Sequence, residues 1–193
     1  MTTTASLAGL AAVAYLAGSV PVANLVASGR TGADLRTVGD RNPGYWNAMS
    51  QVGARAALPV LVLDVLKVAL PVAAARVVGL PWWAWYVVAC AGMVGHAWPV
   101  FAGFRGGRSV LAWVGGSLVV APVPTAIAVG VLFVAWLARL GFSRAARIAV
   151  VALPMIQIVL EGPWRTAASG VLMTFVGLRF ASAAMAERRA TQE

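Results

Sequence analysis

The chain has 193 residues, 61% of them hydrophobic, with a formal net charge of +9 and a mean hydropathy of +0.83. Such apolarity excludes an ordinary soluble globular domain, and its long apolar runs broken by short polar loops are the pattern of a polytopic membrane protein. The arginines sit between those runs and are not interleaved with aromatics, which argues against nucleic acid and for anionic headgroups or phosphate substrates.

A first span is expected at Ser6 to Ala27. The start MTTTASLAGL carries no basic residue before its apolar run, so Met1 to Ser28 reads as a retained span and not a signal peptide. Gly18, Ser19 and Pro21 predict a kink, with Asn24 toward the inner end. The longest polar loop follows, Ser28 to Arg55, with Arg30, Arg36, Arg41 and Arg55. Span two is expected at Ala56 to Val78 and contains Asp64 and Lys67. Trp82, Trp83 and Trp85 stand where an interfacial aromatic belt belongs. Span three, Trp83 to Ala102, carries Cys90, which has no second cysteine to pair with. The run Val110 to Ala138 is interrupted by Pro122 and Pro124 and reads as two short spans. The first would be only about 20 Å long at ~1.5 Å per residue, short of the ~30 Å hydrocarbon core. Arg139 to Arg147 reads as a basic loop. Span six, Ile148 to Leu160, an outer turn, Glu161 to Arg165, and span seven, Thr166 to Ala181, complete the chain.

The fold expected is all-α: a single domain over residues 1–193, polytopic, with about seven transmembrane helices. Its N-terminus is expected outside and its C-terminus in the cytoplasm. Of the fifteen basic residues, Arg30, Arg36, Arg41, Arg55, Arg105, Arg108, Arg139, Arg144, Arg147, Arg179, Arg188 and Arg189 then fall inside. Only Arg76 and Arg165 fall outside, and Lys67 lies within a span; this is a positive-inside distribution.

Four stretches can carry chemistry. In GDRNPGYWN (39–47), Asn-Pro-Gly is a turn, Asn42 and Asn47 bring amides and Arg41 a cation; a plain turn with Tyr45 and Trp46 as interfacial anchors is the alternative. Asp64 and Lys67 stand at i and i+3 inside a span, either neutralising each other or serving a phosphate site. GHAWPVFAGFRGGRS (95–109) holds the lone histidine, His96, and a small Arg-Gly-Gly-Arg loop. Its backbone N–H groups and arginine forks suit an anion. His96 suits a general base or a hydroxyl-positioning group as well as a plain hydrogen-bonded structural role. Arg139 to Arg147, with Ser143, suits lipid headgroups. All four face one side under this topology. No metal-ligand cluster, Ser-His-Asp grouping or Walker loop is present.

These residues resemble a known family, the bacterial acyl-phosphate-dependent glycerol-3-phosphate acyltransferases (the PlsY family). Gly18-Ser19-Val20-Pro21 with Leu25-Val26 is similar to its GSIPxxxLV, and GDRNPGYWN to its GSGNPGATN. Asp64-Val65-Leu66-Lys67 resembles its DxLKG, and GHAWPVFAGFRGGRSV its GHxxPVFxxFKGGKGV. The resemblance implies acyl transfer from acyl phosphate to the 1-hydroxyl of glycerol 3-phosphate, giving lysophosphatidic acid in phospholipid synthesis. It implies no cofactor and no metal. The implied partners are those two substrates and membrane lipids, with no nucleic acid. The implied place is the bacterial plasma membrane, with the active site facing the cytoplasm. Carried over residue by residue, it makes His96 and Asn42 the catalytic candidates. Gly39, Gly44, Asn47, Lys67, Arg105, Gly106, Gly107, Arg108 and Ser143 become substrate-binding candidates.

The chain departs from the family pattern at several places. Asp40 stands for Ser, Arg41 for Gly, Tyr45 and Trp46 for a small Ala-Thr pair, and Ser109 for Gly. Leu140 and Gly141 stand for the Arg and Tyr of an RYxS loop, and the family's basic C-terminal motif is not recognisable in LRFASAAMAERR. Asp40 would repel a phosphate unless Arg41 offsets it, and the two aromatics would fill or reshape the acceptor pocket. A different acyl acceptor or donor, or a non-catalytic lipid-binding or transport role, are the rival readings.

Overall fold

The computed structural model describes residues 3–190, apart from the side chains of Ser143, Glu187 and Ala190. Helix α1 (Thr3–Gly18) stops where Ser19 turns its hydroxyl back onto the Tyr15 carbonyl at 2.8 Å, and Pro21 lacks a donor to continue the ladder. Helix α2 (Val22–Thr31) resumes the same apolar run, so the expected kink is a full break. Gly32, at φ +72°, ends α2 in the left-handed conformation.

The loop expected between residues 28 and 55 is partly helical. Tyr45–Val52 forms α3, and Gly53 separates it from α4 (Ala54–Val77). Helix α5 (Trp82–Ala97) starts after Pro81 and leads into a 3-10 turn at Val100–Ala102. The interruption expected at Pro122 and Pro124 is found as a break between two helices: α6 (Val110–Val120) and α7 (Pro122–Leu137) meet at Ala121. The basic stretch 139–147 is mostly not a loop. Helix α8 (Phe142–Glu161) starts at Phe142, so Arg144 and Arg147 ride on its first turns. The turn expected at 161–165 shrinks to Gly162, at φ +82°, before α9 (Pro163–Ala190).

Among the described residues every regular element is helical. Four segments are long and apolar enough to cross a membrane, Thr3–Thr31, Ala54–Val77, Trp82–Ala102 and Pro163–Ala186; α6 and α7 are apolar but shorter. Small residues bring the helices together. A side chain on Gly95 would strike the Tyr15 carbonyl of α1, and one on Gly115 the Val65 carbonyl of α4. One buried cluster joins Ala14, Val68, Val72, Met93 and Leu172. A second joins Ala23, Ala27, Leu35, Ala48 and Val60, fixing α2, α3 and their loop onto α4. The end of α1, the end of α5 and the start of α6 therefore meet at one end of the bundle.

Candidate functional site

The C-terminus of α5 is the foundation of the site. The last carbonyls of a helix lack partners within it. Here the chain folds back after the 3-10 turn and supplies them. Gly106 N–H donates to the Ala97 carbonyl at 3.2 Å and Gly107 N–H to the His96 carbonyl at 3.1 Å. The two glycine amides expected to face an anion are thus turned toward α5, because buried carbonyls must be satisfied first. Glycine is required for closeness. A side chain on Gly106 would strike the His96 carbonyl, and one on Gly107 would sit 2.6 Å from His96 Nε2 and 3.3 Å from Asn42 Oδ1.

Arg179 of α9 completes this cap. It donates to the carbonyls of Gly107 (3.2 Å), Gly106 (3.3 Å) and Ala97 (3.4 Å), and its guanidinium lies 4.8 Å from the centre of the Trp98 ring. Sequence reasoning counted Arg179 as an inside charge and missed this role. The available signal was a single arginine in an otherwise apolar stretch of α9.

His96 is buried, with Nδ1 3.9 Å from Asp64 Oδ1. Lys67 Nζ pairs with that same oxygen at 2.8 Å and also donates to the Val20 carbonyl at 3.2 Å, in the break between α1 and α2. The pair thus neutralises itself and also lines the pocket. Asp64, Lys67 and His96 share a narrow pocket with Arg36, Pro43, Arg105, Gly106 and Gly107. Arg36, Pro43, Arg105 and Gly106 also line a wider cleft of about 410 Å³, bounded further by Asp40, Arg41, Asn42, Arg108 and Arg179. An anionic ligand entering the cleft meets arginine side chains first and the histidine pocket behind them.

Arg36 was likewise not among the candidates. Asp34 grips it through Nε (2.9 and 3.0 Å) and Nη2 (2.7 Å), while Nη1 reaches the Ala102 carbonyl at 3.2 Å. The hydrogen bond from Arg36 holds the Asp34 carboxyl well below the usual carboxylate range, from 3.8 to about 2. The signal was the Asp-x-Arg spacing in a polar loop.

The NPG loop divides its residues into two groups. Asn42 lines the cleft. Gly39, Gly44 and Asn47 do not line it; they build the loop behind it. Asn47 is buried, and its Nδ2 donates to the carbonyls of Val38 (2.9 Å), Leu35 (3.0 Å) and Asn42 (3.2 Å). Gly39, at φ +60°, has no room for a side chain against the Asn47 amide. Ser143 lies in the first turn of α8, and its side chain is outside the described residues.

The departures resolve individually. Asp40 pairs with Arg108 at 3.1 Å, not with Arg41. Tyr45 packs into the second core, and Trp46 meets Phe142 edge-on at 4.9 Å; neither lines the cleft. Arg41 (φ 53°) and Ser109 (φ 63°) both adopt the left-handed conformation that the family pattern assigns to glycine. Among the described residues no group of acidic, histidine or cysteine side chains could hold a metal ion.

A family model described as glycerol-3-phosphate acyltransferase matches residues 8–187. The chain belongs to the glycerol-3-phosphate acyltransferase family. Glycerol-3-phosphate acyltransferase 5 of Dehalococcoides mccartyi is 40% identical over 121 residues, 63% of this chain and 52% of that protein. The chain therefore spans about half the length of that curated relative. The glycerol-3-phosphate acyltransferase of Shewanella sediminis is 36% identical over 156 residues, 81% of this chain and 76% of that protein. The fold is also similar to a crystal structure of PlsY (YgiH), an integral membrane glycerol 3-phosphate acyltransferase in its glycerol 3-phosphate form. The TM-score is 0.80 with 28% identity, covering 97% of this chain and 93% of that one. Its lysophosphatidic acid form matches with a TM-score of 0.76 and 26% identity. Apolar helices of membrane length and this kinship make the chain an integral membrane protein.

Proposed function

We propose that the chain transfers a fatty acyl group from acyl phosphate to the 1-hydroxyl of glycerol 3-phosphate, releasing lysophosphatidic acid and inorganic phosphate. The observation that carries this reading is the cleft itself: Arg36, Arg41, Arg105, Arg108 and Arg179 surround an opening that leads to His96. Both substrates carry phosphate, and the similar PlsY structures are described in glycerol 3-phosphate and lysophosphatidic acid forms. Arg41, Arg105 and Arg108 hold the phosphates, and Asn42 and His96 orient the acceptor hydroxyl. Gly106 and Gly107 contribute through shape, keeping the space over the imidazole open. The hydroxyl oxygen bonds to the acyl carbon and the acyl–phosphate bond breaks. The hydroxyl proton leaves with the phosphate, directly or by way of His96 Nε2. The leaving group is already activated, so juxtaposition of the two substrates supplies much of the rate.

The site opens to the cytoplasm in this reading, with seven membrane crossings of which α6 and α7 are short. In support, Arg76 and Arg165, the two arginines assigned outside, both lie over the Trp85 ring, at 5.2 and 5.5 Å, near the opposite end of α5 from His96. Donor exchange tests the chemistry. Purified protein in lipid vesicles should form lysophosphatidic acid from palmitoyl phosphate and not from palmitoyl-CoA. Equal use of the CoA ester would overturn the acyl-phosphate assignment.

A further inference from the structure

Asp40 is an anion in a cleft whose other charged lining residues are all arginines. Its Oδ2 accepts from Arg108 Nη1 at 3.1 Å, across 68 positions of sequence, and so ties the loop before α3 to the loop before α6. Its Oδ1 accepts the Asn42 N–H at 3.2 Å and shapes the turn that presents Asn42. The carboxylate remains 44% exposed while Arg108 is 19% exposed, so the pair lies at the cleft wall with the acid toward solvent. Arg108 also lies 5.0 Å from the centre of the Phe180 ring, which limits where its guanidinium can swing. Two other cleft cations are engaged as well, Arg36 by Asp34 and Arg179 by three carbonyls.

From this arrangement we infer that Asp40 is an affinity-setting residue, a built-in counter-anion that competes with the phosphate group of any ligand for Arg108. The inference rests on the phosphate-binding reading of the cleft. A phosphate reaching Arg108 must displace the carboxylate or sit beside it, and either costs binding energy. The cost applies to any ligand held by its phosphate alone, including the inorganic phosphate released in the reaction. Substrates incur the same cost at Arg108, but their hydroxyl or acyl contacts add affinity that inorganic phosphate lacks. Asp40 therefore weakens retention of the phosphate product as well as capture of glycerol 3-phosphate.

Calorimetric titration of the purified full chain in detergent tests this, with glycerol 3-phosphate and, separately, inorganic phosphate. Asp40→Asn and Asp40→Ser both keep an oxygen for the Asn42 N–H, so the turn survives while the charge is lost; Asp40→Ala removes both. Kd for both anions should fall about three- to tenfold in Asp40→Asn and Asp40→Ser. Added salt should narrow the difference. An unchanged or raised Kd in these two variants, at wild-type melting temperature, would overturn the proposal. An effect seen only in Asp40→Ala would also overturn it, by assigning the residue to the turn. If wild type turns over substrate and the Kd values do not move, the proposal fails alone. If neither wild type nor the variants bind either anion, it fails together with the phosphate-binding reading.

Discussion

Gly107 lies against the imidazole of His96 so closely that a Cβ there would sit 2.6 Å from Nε2. The glycine keeps open the space that a reacting hydroxyl would need. Gly107→Ala is therefore expected to lower kcat by about 100-fold or more while the protein still inserts and folds, because a misplacement near 1 Å costs that much. Gly103→Ala is the comparison. That glycine has φ +62° and nothing within 4 Å of a built Cβ. Its substitution should cost about 1 kcal/mol of stability with turnover nearly intact. Steady-state kinetics and thermal unfolding in detergent check both.

The Asp64–Lys67 pair is buried on both sides, at 2% and 7% side-chain exposure. Removing one partner leaves an uncompensated buried charge. Asp64→Asn or Lys67→Met should each destabilise by about 3–5 kcal/mol. The double substitution should cost much less than the sum, which a thermal-unfolding double-mutant cycle would show. Activity should not return in the double variant, since His96 loses its neighbouring carboxylate as well.

Arg179 spans three carbonyls with one planar group. A lysine places a single ammonium and cannot reach all three. Arg179→Lys should loosen the Arg-Gly-Gly-Arg loop, with about tenfold lower kcat/KM and a stability loss near 1–2 kcal/mol. Faster amide exchange at Gly106 and Gly107 is the direct readout.

The features legible in the sequence were those written in backbone chemistry. The disruption at Pro21, read as a kink and found as a full break, the break at Pro122, the tryptophan cluster opening α5, and the apolar runs all follow from donor loss and hydropathy. Helix α3 escaped because eight residues make too short a run to stand out within a long polar loop, where Tyr45 and Trp46 read as interfacial anchors. The start of α8 escaped because Arg144 and Arg147 read as loop charges, although long basic side chains are tolerated at a helix end near the interface. At the site, motif spacing selected His96, Arg105 and Arg108. It could not say that the Gly106 and Gly107 amides serve α5 and not a ligand, since that depends on where the α5 carbonyls end. Arg36 and Arg179 reach the site from distant segments, which a single sequence does not show.

Asp34 gives a pH signature. Its carboxyl is held low by Arg36, from 3.8 to about 2. A depressed folded value means the stabilisation is complete above about pH 5 and is lost as pH falls from about 4 toward 2. The pair is partly exposed, so the effect stays below about 1 kcal/mol. The melting-temperature gap between wild type and Asp34→Asn should be constant from pH 8 to 5 and should close below pH 4. A gap that widened in acid would contradict the pairing.

The most direct test of the acyltransferase reading is product formation. Purified protein in lipid vesicles is given palmitoyl phosphate and glycerol 3-phosphate, and lysophosphatidic acid is followed beside an Arg108→Ala variant confirmed to be folded. Time-dependent product in wild type, lowered at least about 100-fold in the variant, is the result expected. No product from well-folded wild type, or equal product from both proteins, would contradict an acyltransferase site built on this cleft.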